Sequence, residues 1–259
     1  WRRATIGIIG CGQIGGRLYC LLKELNVKIQ VYDPFLYKQK IPELTDLDTV
    51  LASDIICIHT PLTHDGEYPT IDLLDEERVN RLSSGALLVN AGRGEVLNED
   101  ALARRLESTN DISVALDVWN SEPIINLSLM EKVDIATPHI AGYTFEAKKT
   151  ASVMLRDAFL LWRGIDPPDN KTIGLNSKIL SPDQPIKSLN DSILACYDVS
   201  ADDKKLRQTM RQDSDIGQGF ERLRSEYSFR HDFKHYSVLN PQKIMSDLNS
   251  LGFQTDRLI

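Results

Sequence analysis

The 259-residue chain contains no apolar run near the ~20 residues that a membrane-spanning helix requires. Its longest runs, such as Ile55-Ile56-Cys57-Ile58 and Ala158–Trp162, are far too short, which excludes a helical span. Positive charge is in deficit. With 30 Lys and Arg against 37 Asp and Glu, the formal charge of -7 leaves no broad basic face for nucleic-acid phosphates or an anionic membrane. Cysteine is scarce as well: Cys11, Cys20, Cys57 and Cys196 have no paired metal-ligand spacing, and the first three sit in apolar patterns, so reduced, buried thiols are expected. Trp1-Arg2-Arg3-Ala4 offers neither an initiator Met nor the apolar core of a signal peptide, so the expectation is a cut edge and a cytoplasmic protein. No internal repeat is visible, and the partners left open are small molecules or protein.

What the sequence does contain is a series of short β-branched, apolar runs at Thr5–Ile9, Lys28–Tyr32, Asp54–His59, Ala86–Asn90, Ile112–Val118 and Val133–Thr137. Such runs mark strands buried on both faces. Helical patterns alternate with most of them. From Gln13 on, Ile14, Leu18, Leu21, Leu22 and Leu25 fall on one stripe, and Asn98-Glu99-Asp100 reads as a cap with an acidic first turn. The alternation predicts an α/β protein with a doubly wound parallel sheet over residues 1–143. A long amphipathic helix follows from about Thr144 to Arg163, with Phe145, Met154, Leu155, Phe159 and Trp162 on one face and Gly164 as its stop. Turn formers between 166 and 185 predict a connector, so 144–186 is read as helix plus connector and 187–259 as a small α/β module. In that module Leu189–Tyr197, Asp203–Met210 and Pro241–Leu251 read as helices and Phe233–Leu239 as a strand.

The first strand runs into Gly10-Cys11-Gly12-Gln13-Ile14-Gly15 and then directly into a helix. In that context Gly10 serves a tight turn, Gly12 lets backbone approach a pyrophosphate, and Gly15 lets helix and strand pack closely. The helix amino end adds unpaired N–H groups for the phosphates. Asp33 ends the second strand about twenty residues on, where an acid accepts from adenosine ribose hydroxyls, which favours NAD over NADP.

Beyond the fourth, fifth and sixth strands lie Arg93, Glu122 and His139. Carboxyl ends of parallel strands share one edge with the glycine loop, so these groups can converge although distant in sequence. Oxidation of a secondary alcohol needs a base, a substrate anchor and a hydride acceptor. His139 suits the base, Glu122 the group that orients its ring, and Arg93 the fork that holds a substrate carboxylate. Asp117, at the end of the fifth strand, is placed to accept from the nicotinamide carboxamide. Taken singly, Arg93 reads equally as a loop salt bridge, Glu122-Pro123 as a turn and His139 as a satisfied strand-end histidine. His59, His64, His231 and His235 lack such a setting and are assigned no chemistry.

Together these segments resemble the D-isomer-specific 2-hydroxyacid dehydrogenases, over roughly residues 5–163. The resemblance implies a Rossmann fold and NAD-dependent oxidation of a D-2-hydroxy acid, with Gln13 and Ile14 at the pyrophosphate and Thr60, Ala91 and Gly92 at the cofactor. It also implies Gly142 on the nicotinamide side and Tyr143 at the substrate. The tail, with Tyr197-Asp198-Val199 and Gly219–Tyr227, resembles a branch that acts on a phosphorylated substrate and forms homodimers through a C-terminal domain, unlike the phosphoglycerate and lactate relatives. Members begin with half of a substrate domain that this chain lacks, so the chain as given is expected to bind NAD but turn over slowly or not at all. The helix from Thr144 is expected to leave its apolar face exposed. Arg222, Arg224 and Arg230 either meet the substrate phosphate or form a solvated face with Glu221 and Glu226. Rival readings are a phosphoglycerate or hydroxypyruvate dehydrogenase and, in a different class, an NAD-sensing binding protein.

Overall fold

The computed structural model describes residues 1–168, 178–180, 186–239 and 244–256. Elements follow in the order β1 (Thr5–Ile9), α1 (Gln13–Glu24), β2 (Lys28–Tyr32), α2 (Leu47–Leu51), β3 (Ile55–Ile58), α3 (Glu76–Arg81), β4 (Leu87–Asn90), α4 (Glu99–Ser108), β5 (Ser113–Leu116), α5 (Leu127–Met130) and β6 (Ile135–Ala136). After these come α6 (Phe145–Trp162), β7 (Lys178–Ile179), α7 (Leu189–Cys196), α8 (Val199–Gln212), α9 (Ile216–Ser225), β8 (Tyr236–Leu239), α10 (Met245–Ser250) and β9 (Gln254–Asp256). The chain divides into two compact units: Trp1–Ala141 with Val199–Glu226, and Gly142–Asp198 with Tyr227–Ile259.

The first unit is built on a six-stranded parallel sheet in the order β2-β1-β3-β4-β5-β6. All six expected strands form, the first two with their expected bounds and the other four shorter. Ile8, Ile9, Val31, Ile56, Ile58, Leu88 and Val114 have no accessible surface or nearly none, as a sheet covered on both faces demands. The strands also stop together, because Tyr32, Ile9, Ile58, Asn90, Leu116 and Ala136 stand opposite one another in successive registers. The residue following each of five strands still donates its N–H to the neighbouring strand: Gly10 to Tyr32, His59 to Ile9, Ala91 to Ile58, Asp117 to Asn90 and Thr137 to Leu116. One straight rim results.

Helix α1 follows its expected stripe at Leu22 and Leu25, both buried, and departs from it elsewhere. Gly15, Tyr19 and Leu22 are its buried residues, while Ile14 is 59% exposed. Tyr19 can be buried because its hydroxyl donates to Glu43 Oε2 at 2.5 Å. Helix α4 begins as the sequence predicts, with Asn98 accepting from the Ala101 N–H and Glu99 and Asp100 in the first turn. Its Arg105 is buried and donates to the carbonyls of Val79 and Leu82 and to Asp111. This guanidinium holds the Asp111 carboxyl down at about 2.

Residues 199–226 differ from the expected single module over 187–259, for they belong to the first unit. Leu206, Met210, Phe220 and Leu223 join its core. Asp203 accepts the Ala136 N–H at 2.8 Å, and Arg207, bound to Asp203, donates to the carbonyls of Met130 and Val133. Helix α8 thereby covers the β6 edge of the sheet, which would otherwise present unpaired backbone groups.

The second unit holds a three-stranded parallel sheet in the order β7-β8-β9, with α10 as the crossover between β8 and β9. Val238, Leu248 and Phe253 are buried in it, and Phe233 stacks on Phe253 at 4.8 Å. Helix α6 starts at the Thr144 cap, and Gly164 (φ 73°) follows its end. Its apolar stripe is exposed as expected, with Leu155 75% and Trp162 77% accessible. The parts of the expected connector at 169–177 and 181–185 lie outside the described residues, as does the start of the helix expected from Pro241. Cys20 is exposed rather than buried, since α1 turns that side to solvent, and all four cysteines are free. Burial lifts the Cys57 thiol to about 11.

Replacing Arg105 by Ala leaves the Leu82 carbonyl without its donor and the Val79 carbonyl with only the Leu82 N–H, so Arg105→Ala is expected to lower stability in urea unfolding by roughly 2–4 kcal/mol. A loss below about 0.5 kcal/mol would show that the clamp contributes little.

Candidate active site

Beyond the sheet rim, between the loops after β1 and β3, opens a cleft of about 720 Å³ in the first unit. This is where strand order reverses, the usual binding position of an open α/β sheet. Nine expected cofactor residues line it: Gly10, Gly12, Gln13, Ile14, Asp33, Thr60, Ala91, Gly92 and Arg93. Gly10 turns there at φ 85°, and a Cβ on Gly15 would sit 1.9 Å from the Gly10 carbonyl oxygen, so loop and helix touch only because both are glycine. A Cβ on Gly12 would meet open space. No side chain caps α1, whose first N–H groups are left for an external acceptor. Asp33 Oδ2 accepts the Cys11 N–H at 2.9 Å and Oδ1 the Phe35 N–H, which fixes the carboxylate against the glycine loop. Thr60 Oγ1 and His59 Nδ1 are buried without partners among the described residues. Polar atoms stranded beside a cleft suit a polar ligand.

Arg93, Glu122 and His139 project from adjacent loops of the same unit. Asn90 staples the first loop, its Oδ1 accepting from the Gly92 N–H and its Nδ2 donating to the Arg93 carbonyl. Arg93 is exposed, donates to the Gly92 carbonyl, and forms no ion pair among the described residues, unlike a loop salt bridge. A Cβ on Gly94 would lie 2.1 Å from the Trp119 carbonyl carbon, so this loop rests directly on the one bearing Glu122. Glu122 accepts from the Trp119 N–H through Oε1 and meets His139 Nδ1 through Oε2 at 2.8 Å. His139 has φ 55°, a conformation unusual for a side-chain-bearing residue, and its N–H donates to the Asp117 carbonyl at 2.7 Å. With Nδ1 engaged, the imidazole has Nε2 free to act on a ligand.

Asp117 is more occupied than expected for a cofactor contact. It accepts from the Thr137 hydroxyl and from the N–H groups of Ile140 and Ala141, and so holds the loop that carries His139. Glu122, His139, Asp117 and Gly15 are not among the residues lining the cleft. Gly142 and Tyr143 fall in the second unit, where Tyr143 packs edge-on against Tyr227 and beneath Lys148. Arg222 pairs with Asp213 and Arg224 with Glu221, the solvated-face alternative, whereas Arg230 lies over the Tyr197 ring.

The sequence profile described as D-isomer specific 2-hydroxyacid dehydrogenase, NAD binding domain, matches residues 1–141. The chain belongs to this family. NAD is therefore its cofactor. A second profile, a domain of unknown function, matches residues 165–252. Among curated proteins the chain is similar to erythronate-4-phosphate dehydrogenase of Teredinibacter turnerae, 39% identical over 98% of this chain and 70% of that one. It is likewise similar to the enzyme of that name from Pseudomonas aeruginosa, 40% identical over 88% of this chain and 62% of that one. Among solved structures it is similar to D-lactate dehydrogenase with NAD+ from Lactobacillus jensenii (TM-score 0.53, 29% identity, 63% of this chain and 54% of that one). The chain thus spans about half the length of that solved relative. No helix among the described residues is long and apolar enough to cross a membrane.

Sequence reasoning missed His59, Phe35 and Tyr68, all on the cleft wall, the latter two packed edge-to-face at 5.5 Å. Phe35 sits two residues past Asp33, and an exposed aromatic in that position was the available signal. Glu99 was missed as well. Its Oε1 accepts the Asn120 N–H at 2.7 Å beneath the Glu122 loop, and burial raises its pKa to about 7. The folded state therefore keeps this proton when the unfolded chain, near its ordinary 4.5, releases it. Stability drains away as pH climbs from about 4.5 through 7. Glu99→Gln, which retains an acceptor, is expected to raise the melting temperature at pH 8 and to leave it nearly unchanged at pH 4. An equal effect at both pH values would refute this.

Proposed function

We propose that this chain forms the catalytic NAD-binding portion of an enzyme that oxidises 4-phospho-D-erythronate to (R)-3-hydroxy-2-oxo-4-phosphooxybutanoate, a step in pyridoxal 5′-phosphate synthesis. The observation that carries it is the His139–Glu122 pair, 2.8 Å apart on the rim that also bears the cofactor cleft. The substrate assignment is supported by the shared name of its curated relatives, 34–40% identical to it. The same reading has the protein work in the cytoplasm as a homodimer joined through its C-terminal region.

His139 Nε2 takes the proton of the C2 hydroxyl, while Glu122 holds the ring in the tautomer that leaves Nε2 basic and stabilises the imidazolium that forms. Arg93 receives the substrate carboxylate in its planar fork and polarises the C2 oxygen. Bound NAD supplies the acceptor for the hydride that leaves C2. Asp33 selects for the unphosphorylated ribose, because a 2′-phosphate would meet like charge there.

The test uses the chain extended to the full length of its longer relatives. NADH formation with 4-phospho-D-erythronate is expected to exceed that with 3-phospho-D-glycerate, and the reverse preference would overturn the substrate. His139→Asn is expected to lower kcat about 10²–10⁴-fold with NAD affinity intact. Unaltered turnover would remove His139 as the base and favour a binding protein. Asp33→Ser should narrow the preference for NAD over NADP by at least about tenfold in kcat/KM, and an unchanged ratio would remove Asp33 from the cofactor site.

A further inference from the structure

Two histidines with no part in this chemistry lie together in the second unit. His231 and His235 stack face to face, ring centroids 3.7 Å apart and planes 17° from parallel. Glu146, in the first turn of α6, is buried beside them, and its Oε1 is 2.9 Å from His231 Nδ1. Its other oxygen accepts the Asp232 N–H at 2.9 Å, which fixes the carboxylate and aims Oε1 at the imidazoles. His235 Nδ1 is buried with no hydrogen-bond partner among the described residues. One ligating atom from each of Glu146, His231 and His235 falls within 4.8 Å of the others.

We propose that Glu146, His231 and His235 form a binding site for a divalent transition-metal ion of the zinc type. Two imidazoles and one carboxylate are the borderline donors such ions prefer, and three protein ligands leave a fourth position for water or a small ligand. The His-x-x-x-His spacing of His231 and His235 is typical of zinc sites, and Glu146 is brought to them from 85 residues away. Stacked rings direct their lone pairs side by side, so loading requires the planes to fan apart and the donors to close to the ~3.3 Å separation of ligands around a tetrahedral ion with bonds of ~2.0–2.1 Å. His231 has room for this, since 31% of its side chain faces solvent. The Asp232 N–H on the outer carboxylate oxygen is the kind of supporting contact that orients a metal ligand. A bound ion would pin the 231–235 segment to the start of α6.

The test is titration of the EDTA-stripped full chain with Zn2+ in a calorimeter and with Co2+ by visible absorption. Saturation at one equivalent, with cobalt d–d bands and no thiolate charge-transfer band, supports the site. His235→Asn and Glu146→Gln are each expected to weaken Zn2+ binding at least tenfold, with His64→Asn unchanged. Absence of saturable binding, a thiolate band that moves the ion to a cysteine, or wild-type affinity in His235→Asn overturns the proposal. Because Glu146→Gln alters a buried contact and can impair folding, the cobalt spectrum of the wild-type chain decides independently of that variant.

Discussion

The structure depends on the parallel ladder that makes six strands end on one row. Because each of five strands passes a last N–H sideways to its neighbour just beyond its end, the loops that follow leave from fixed points about a strand spacing apart. Neither the glycine turn nor the loops bearing Arg93, Glu122 and His139 could find one another by local preference alone. Their separation in sequence, more than a hundred residues between Gly10 and His139, is cancelled by this pairing.

On that base, each loop is held by a side chain that hydrogen-bonds to the backbone around it. Asn90 closes the loop of Arg93, Asp117 gathers three donors from the loop of His139, and Glu122 anchors itself to Trp119 before it meets the imidazole. These are interior polar groups satisfied by geometry, which makes the loops rigid without filling the space in front of them. The exposed Arg93 guanidinium is the exception and the group left to meet something from outside.

Much of this could be read from the residues. Strands buried on both faces need continuous β-branched runs, and such runs are distinctive, so the sheet was legible to within a residue or two for most strands. The glycine loop and the Arg93, Glu122 and His139 segments were legible for a related reason, since each follows such a run. What escaped notice depended on partners. Tyr19 rather than Leu18 faces inward because Glu43 meets its hydroxyl, and no periodicity reports a phenol's acceptor. Leu206 and Phe220 enter the core of the first unit, and nothing in the local pattern says which core an apolar residue will join. Glu146 is too far along the chain from His231 and His235 for spacing to suggest the group they form.

The return of α8 and α9 to the first unit means that the polypeptide leaves its dinucleotide domain at residue 141 and re-enters it at 199. A gene fragment ended at the first exit would encode every residue of the cofactor cleft yet produce a sheet with a raw flank at β6, open to pairing with another molecule. The domain is one object in space but two pieces in the message. A ribosome has to finish residue 226 before the first unit can be whole.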